Sequence, residues 1–200
     1  MTPEIPIYKL IVNDEDEIGI NYVALVDKPA TGELWVAFNE QSPIAIEFQT
    51  VSEEKRIVMG ALMVANLPIP RVNDKNEPFL VVLDAENIDK AMAKMARKGN
   101  QSNVNLMHDP KQVVEGVYMQ YAWPINKEKG MPTPTGFNEV PDGSVFAMYK
   151  IDNEQVWQDV KAGKFKGFSI EGVLIQEQII DPPDDQVAEI LNALEGSNLK

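Results

Sequence analysis

Residues 7–27 read "IYKLIVNDEDEIGINYVALVD", two β-branched and aromatic runs split by acidic, glycine-containing punctuation. Runs of this kind read as short strands, here over 7–13 and 20–27. The pattern continues outward through "ELWVAF" (33–38), "IAIEFQT" (44–50) and "RIVMGALMVA" (56–65). Asp, Gly, Pro and Ser punctuate the short segments between the runs, so a barrel or highly curved sheet is expected rather than alternating β-α units. The predicted fold class is α+β: a curved, mostly antiparallel β-barrel flanked by a few helices.

Further along, the period changes. In "LDAENIDKAMAKMARKGN" (83–100), Asp84 is placed to cap a helix, and Ile88, Met92 and Met95 fall on one face of it. Gly99 is placed to stop it. "NVNLMHDP" (103–110) and "EGVYMQYAW" (115–123) read as adjacent strands joined through a tight "DPKQVV" connection. Residues 124–142 hold four prolines and two glycines without periodicity, and are expected to form a mobile flap. "GSVFAMYKI" (143–151) is a strand, after which Asp152 is placed to cap a helix that buries Val156 and Val160 and ends at Gly163. That helix delivers the chain to "FKGFSIEGVLIQEQII" (165–180), one long strand. A single domain over 1–181 is expected, with an amphipathic C-terminal helix and tail over 182–200.

Composition narrows the chemistry. The 200 residues contain no cysteine, one histidine and a formal net charge of −13. Disulfides, thiolate catalysis and histidine-rich metal sites are thereby excluded, and no metal or other cofactor is expected. The negative charge argues against binding nucleic acid through its phosphates. No apolar run approaches the roughly 18 residues of a membrane span, and the first residues lack the pattern of a secretory signal.

A hydrolase built from this chain needs a serine or threonine nucleophile, or two carboxylates; nothing in the spacing of the 31 acidic residues favours such a pair. A serine hydroxyl needs an adjacent base, and His108 is the one imidazole available to the six serines. Regular alternation places Val104, Leu106 and His108 on one face, with Asn103, Asn105, Met107 and Asp109 on the other. Ser169 shares a strand face with Glu171, and Gly167 and Gly172 flank it, clearing space for the close approach of a substrate backbone. An isolated serine in a strand is more often structural than nucleophilic, and a lone histidine beside a core is more often a satisfied structural residue. The residues alone leave both readings standing.

Taken together, "NLMHDP", the glycine in "VEGV", and "GFSIEG" after a "W…KAGKFK" helix resemble the phage prohead (capsid maturation) serine proteases, more narrowly the XkdF-type branch. "GINYVALVDKPA" (19–30) and "RIVMGALMVANLPIPR" (56–71) extend the likeness over about residues 7–178, although Ala65-Asn66 stand where a proline is usual. The resemblance implies a fold similar to the herpesvirus assembly protease, with Ser169 as nucleophile and His108 as general base. In many prohead proteases an "E-V-S-L-V-x-x-P-A" segment follows the serine and its glutamate completes a triad. Here "YVALVDKPA" precedes both motifs, as a permuted strand order would have it, with Tyr22 at the glutamate position. The third member is then sought among Glu171, Asp109, Asp27 and Glu115, with Glu171 favoured and Asp109 the alternative. Oxyanion donors are sought among the N–H groups near Gly167 and the side chains of Lys164 and Lys166. The resemblance further implies scaffold, major capsid and portal or prohead proteins as partners, the enzyme itself as a further substrate, and homo-oligomers. Its implied location is the prohead assembling in the host cytoplasm, without nucleic acid or membrane. The alternative is a non-catalytic capsid- or scaffold-associated protein that keeps the fold.

Overall fold

The computed structural model describes residues 6–27, 47–75 and 77–179. The expected strand at 33–38, the first three residues of that at 44–50 and the C-terminal helix lie outside them. In chain order the strands are β1 (Ile7–Ile11), β2 (Gly19–Val26), β3 (Gln49–Ser52), β4 (Ile57–Met63), β5 (Ile69–Val72) and β6 (Pro78–Val82). Helix α1 (Ala85–Lys98) follows, then β7 (Val104–Leu106), β8 (Asp109–Val113), β9 (Val117–Pro124) and β10 (Val145–Ile151). Helix α2 (Glu154–Lys161), β11 (Gly167–Val173) and β12 (Ile175–Ile179) complete the described chain.

The strands form three four-stranded sheets, ordered β12-β1-β6-β5, β3-β4-β10-β9 and β11-β2-β7-β8. The molecule is α+β and mostly β. The barrel expected from the strand spacing is not seen: among the described residues each sheet stays open, with two edge strands. Most pairings are antiparallel, but β1 runs parallel to β6 and β2 parallel to β7, because long excursions separate those strands in the chain. The three sheets bury a common core that includes Leu10, Val23, Leu25, Val58, Leu62 and Val81, and α1 adds Ile88 and Met95 to it.

Helix α1 forms where its capping signals predict. The Asp84 side chain accepts the Asn87 N–H, and Gly99 takes the left-handed conformation at φ 72°. Asn87 is buried and ties the helix to the first sheet, its Oδ1 accepting the Val12 N–H at 2.8 Å. Helix α2 starts one residue later than the sequence suggests. Asn153, not Asp152, is its N-cap, accepting the Val156 N–H at 3.1 Å, while Asp152 binds Lys150 and Tyr118. An uncharged Asn caps as well as an Asp, so the two neighbours were indistinguishable by residue type.

Two strand readings change. "DPKQV" is not a connection but strand β8, hairpinned to β7 with Leu106 opposite Asp109. The following run, β9, pairs with β10 in a different sheet. The reason is local: Met107 and His108 both have positive φ, 54° and 59°, the signature of a two-residue type I′ turn. The long run after α2 is also broken, at Leu174 between β11 and β12. Residues 125–142 pack an apolar cluster of their own, in which Ile125 and Val140 are buried with Ala61, Leu67 and Phe146. The mouth of this loop is closed by hydrogen bonds between Ile125 and Ser144 at 2.7 Å and between Gly143 and Ile125 at 2.8 Å.

Candidate active site

Strand β2 is the spine on which the candidate residues assemble. It pairs antiparallel with β11, so that Ser169 lies opposite Ala24 and Glu171 opposite Tyr22. On its other side it pairs parallel with β7, so that Ala24 lies beside Asn105. Directly opposed residues project to the same face of a sheet. Ser169, Ala24 and Asn105 therefore form one row across three strands, with Glu171 a single side-chain step along β11 from Ser169. The opposite face belongs to the core. There Phe168 packs on Tyr149 and Phe48, with ring centroids 4.7 and 5.3 Å away.

His108 approaches this face from the hairpin rather than from a strand. The alternation that put it on a common face with Val104 and Leu106 ends at Leu106, and the turn re-aims the ring. Met107 anchors the turn to the end of β2, donating its N–H to the Leu25 carbonyl at 3.0 Å, while its sulfur receives the Asp27 N–H at 3.4 Å. A left-handed backbone at two consecutive residues with side chains is costly and is commonly held in place at functional sites. The result is a contact between His108 Nδ1 and Glu171 Oε1 at 2.7 Å. A carboxylate oxygen accepts, so Nδ1 carries a proton, and in the neutral ring Nε2 then presents a lone pair.

Among the described residues Glu171 is the one carboxylate hydrogen-bonded to the ring. Asp109 turns to its own strand, accepting from the Lys111 N–H at 2.9 Å and Gln112 Nε2 at 2.8 Å. Those bonds, that from Gln112 foremost, hold its carboxyl below the usual range. Glu115 is engaged through its carbonyl with Asn153, and Asp27 through its N–H with Met107.

Ser169 is only 4% exposed, and no hydrogen bond joins its hydroxyl to the imidazole among the described residues. Unliganded catalytic pairs are often slack and tighten when substrate binds. The proposed oxyanion side chains are occupied. Lys164 pairs with Asp159 at 3.3 Å and Lys166 with Glu47 at 3.5 Å, and the Lys166 N–H goes to the Val26 carbonyl. Gly172 does not clear space for a substrate. A β-bulge falls between Glu171 and Gly172, and a Cβ at Gly172 would stand 1.9 Å from the Gly19 carbonyl oxygen, so the missing side chain serves the β2–β11 contact.

The residue that sequence reasoning missed is Asn105, whose Nδ2 donates to Glu171 Oε1 at 2.8 Å. Regular alternation had set it on the face away from His108. The available signal was a polar side chain in the middle of a short strand, which needs a partner when buried.

Among protein families, residues 45–177 match the model described as "Putative phage serine protease XkdF", more than half of the chain. The match contains His108, Ser169 and Glu171 and excludes β1 and β2. No curated protein and no solved structure matches the chain.

Proposed function

The chain belongs to the XkdF family of phage serine proteases, and from that premise we propose that it is the endopeptidase of capsid maturation, working through Ser169, His108 and Glu171. His108 Nε2 takes the Ser169 proton as Oγ attacks a peptide carbonyl. The tetrahedral intermediate collapses to an acyl-enzyme as the same nitrogen protonates the leaving amine, and water, deprotonated in turn by His108, releases the acid. Glu171 holds the Nδ1–H tautomer and stabilises the imidazolium formed in each half-reaction.

One observation carries this reading: the 2.7 Å bond from the single imidazole to a carboxylate on the same strand and face as the serine. A second supports it. Tyr22, at the position where related proteases carry their glutamate, lies directly opposite Glu171. The acid is thereby supplied from across the strand pair, and the β2 segment that looks permuted in sequence is a direct neighbour of the serine strand. The same reading takes the three sheets as a permuted relative of the herpesvirus assembly-protease fold. Substrates are scaffold and head proteins within the prohead, and the enzyme itself.

The burial of Ser169 favours a competing reading, a capsid- or scaffold-associated protein without catalysis. Co-expression with the scaffold protein separates the two. Cleavage by the intact chain is expected to be lost in both Ser169→Ala and His108→Ala, by about 10⁴-fold or more in rate. Undiminished cleavage by either variant sinks the protease reading, and so does failure of the intact chain to cleave.

A further inference from the structure

Asn105 is 1% exposed, yet the two ends of its amide fare differently. Nδ2 donates to Glu171 Oε1 at 2.8 Å, while Oδ1 is buried without a partner among the described residues. Burying an acceptor unpaired is unfavourable, and an alanine or valine in this row would avoid that cost. A buried side chain that leaves one end unsatisfied calls for an explanation in what its other end does.

The other end reaches the oxygen that also accepts from His108 Nδ1 at 2.7 Å. The side chains of His108 and Glu171 are 44% and 28% exposed. A pair so open to solvent gains little by itself and does not fix its own geometry. The buried amide is the rigid element of the three, because it is enclosed on a strand interior to the sheet while the other two side chains face solvent. It reaches across because its β2 neighbour is Ala24, fully buried and no more than a methyl group in the row between Asn105 and Ser169. An amide also stays neutral at every pH at which the protein is folded, so its donor is always available.

We propose that Asn105 is a positioning residue: its amide fixes the Glu171 carboxylate, and through it the ring orientation and tautomer of His108. The proposal rests on the protease reading only for its effect on turnover; its structural half stands without it.

The single histidine makes the test direct, since imidazole nitrogen-15 labelling of the full chain reports one ring. The intact protein is expected to show the Nδ1–H tautomer with a slowly exchanging Nδ1 proton. In Asn105→Ala that proton should exchange rapidly and the tautomer become mixed, as in Glu171→Gln. On a peptide spanning a mapped scaffold cleavage site, kcat should fall about 10- to 100-fold, the usual consequence of removing a residue that orients a ligating or catalytic side chain, with KM within about twofold. Asn105→Leu, close to asparagine in shape but without any donor, should behave as the alanine variant does and covers the case in which that variant fails to fold. An unchanged tautomer and proton in either folded variant overturns the proposal, as does a mixed tautomer in the intact protein. If the tautomer depends on Asn105 but no peptide is cleaved, the proposal stands and the protease reading falls.

Discussion

At the scale of single residues, the site divides into what spacing reveals and what only the backbone can. Ser169 and Glu171 lie two apart on a regular strand, so their common face was legible. His108 was legible as the one available base but not as a turn residue, because Met-His is no ordinary type I′ pair; Asn-Gly is. Its re-aiming brings the ring onto the face where Asn105 already meets the acid. The acid itself gives the clearest test. Glu171→Gln keeps the shape and exchanges the carboxylate for an amide that cannot stabilise an imidazolium. Steady-state cleavage is expected to fall by about 10³- to 10⁴-fold, following the loss seen when the acid of a Ser-His-Asp triad is neutralised. The thermal midpoint should move by no more than a few degrees, since the side chain is partly solvated.

At the scale of elements, helices announced their ends more clearly than strands did. Asp84 and Gly99 bracket α1 as their chemistry dictates. The β7–β8 hairpin and the break before β12 depend on backbone conformations that no residue type in "LMHD" or "GVLI" demands. Asp84 also carries a pH signature. Partial burial pushes its carboxyl upward, but hydrogen bonds from Lys9 and Asn87, together with the Lys9 charge, prevail and lower it from 3.8. A carboxylate held lower in the folded state than in the unfolded one stabilises the fold above the unfolded value, and that contribution drains away as pH falls through the folded one. Asp84→Asn retains a capping oxygen but not the ion pair with Lys9. It should cost about 0.5–1 kcal/mol in urea melts at neutral pH. Its deficit relative to the native chain should close as the melts are taken below about pH 4.

At the scale of the whole molecule, the composition and strand pattern fixed the class, α+β and mostly β, but not the closure; the described sheets are three and open. Sheet membership was illegible because it is decided by pairings between distant segments, such as β2 with β11 and β1 with β12. Those pairings bear on how the family region relates to the fold. A chain starting at residue 45, where the family match begins, lacks the spine of the site and a central strand of another sheet. It should show no cooperative thermal transition by circular dichroism, whereas the full chain should show one. The central place of β2 also sets an order of events at the ribosome. Made early, that strand must wait for β7 and then for β11, nearly the last described strand, before base, acid and hydroxyl share a surface. On the protease reading proposed above, a nascent chain of this family is latent until β11 has been made.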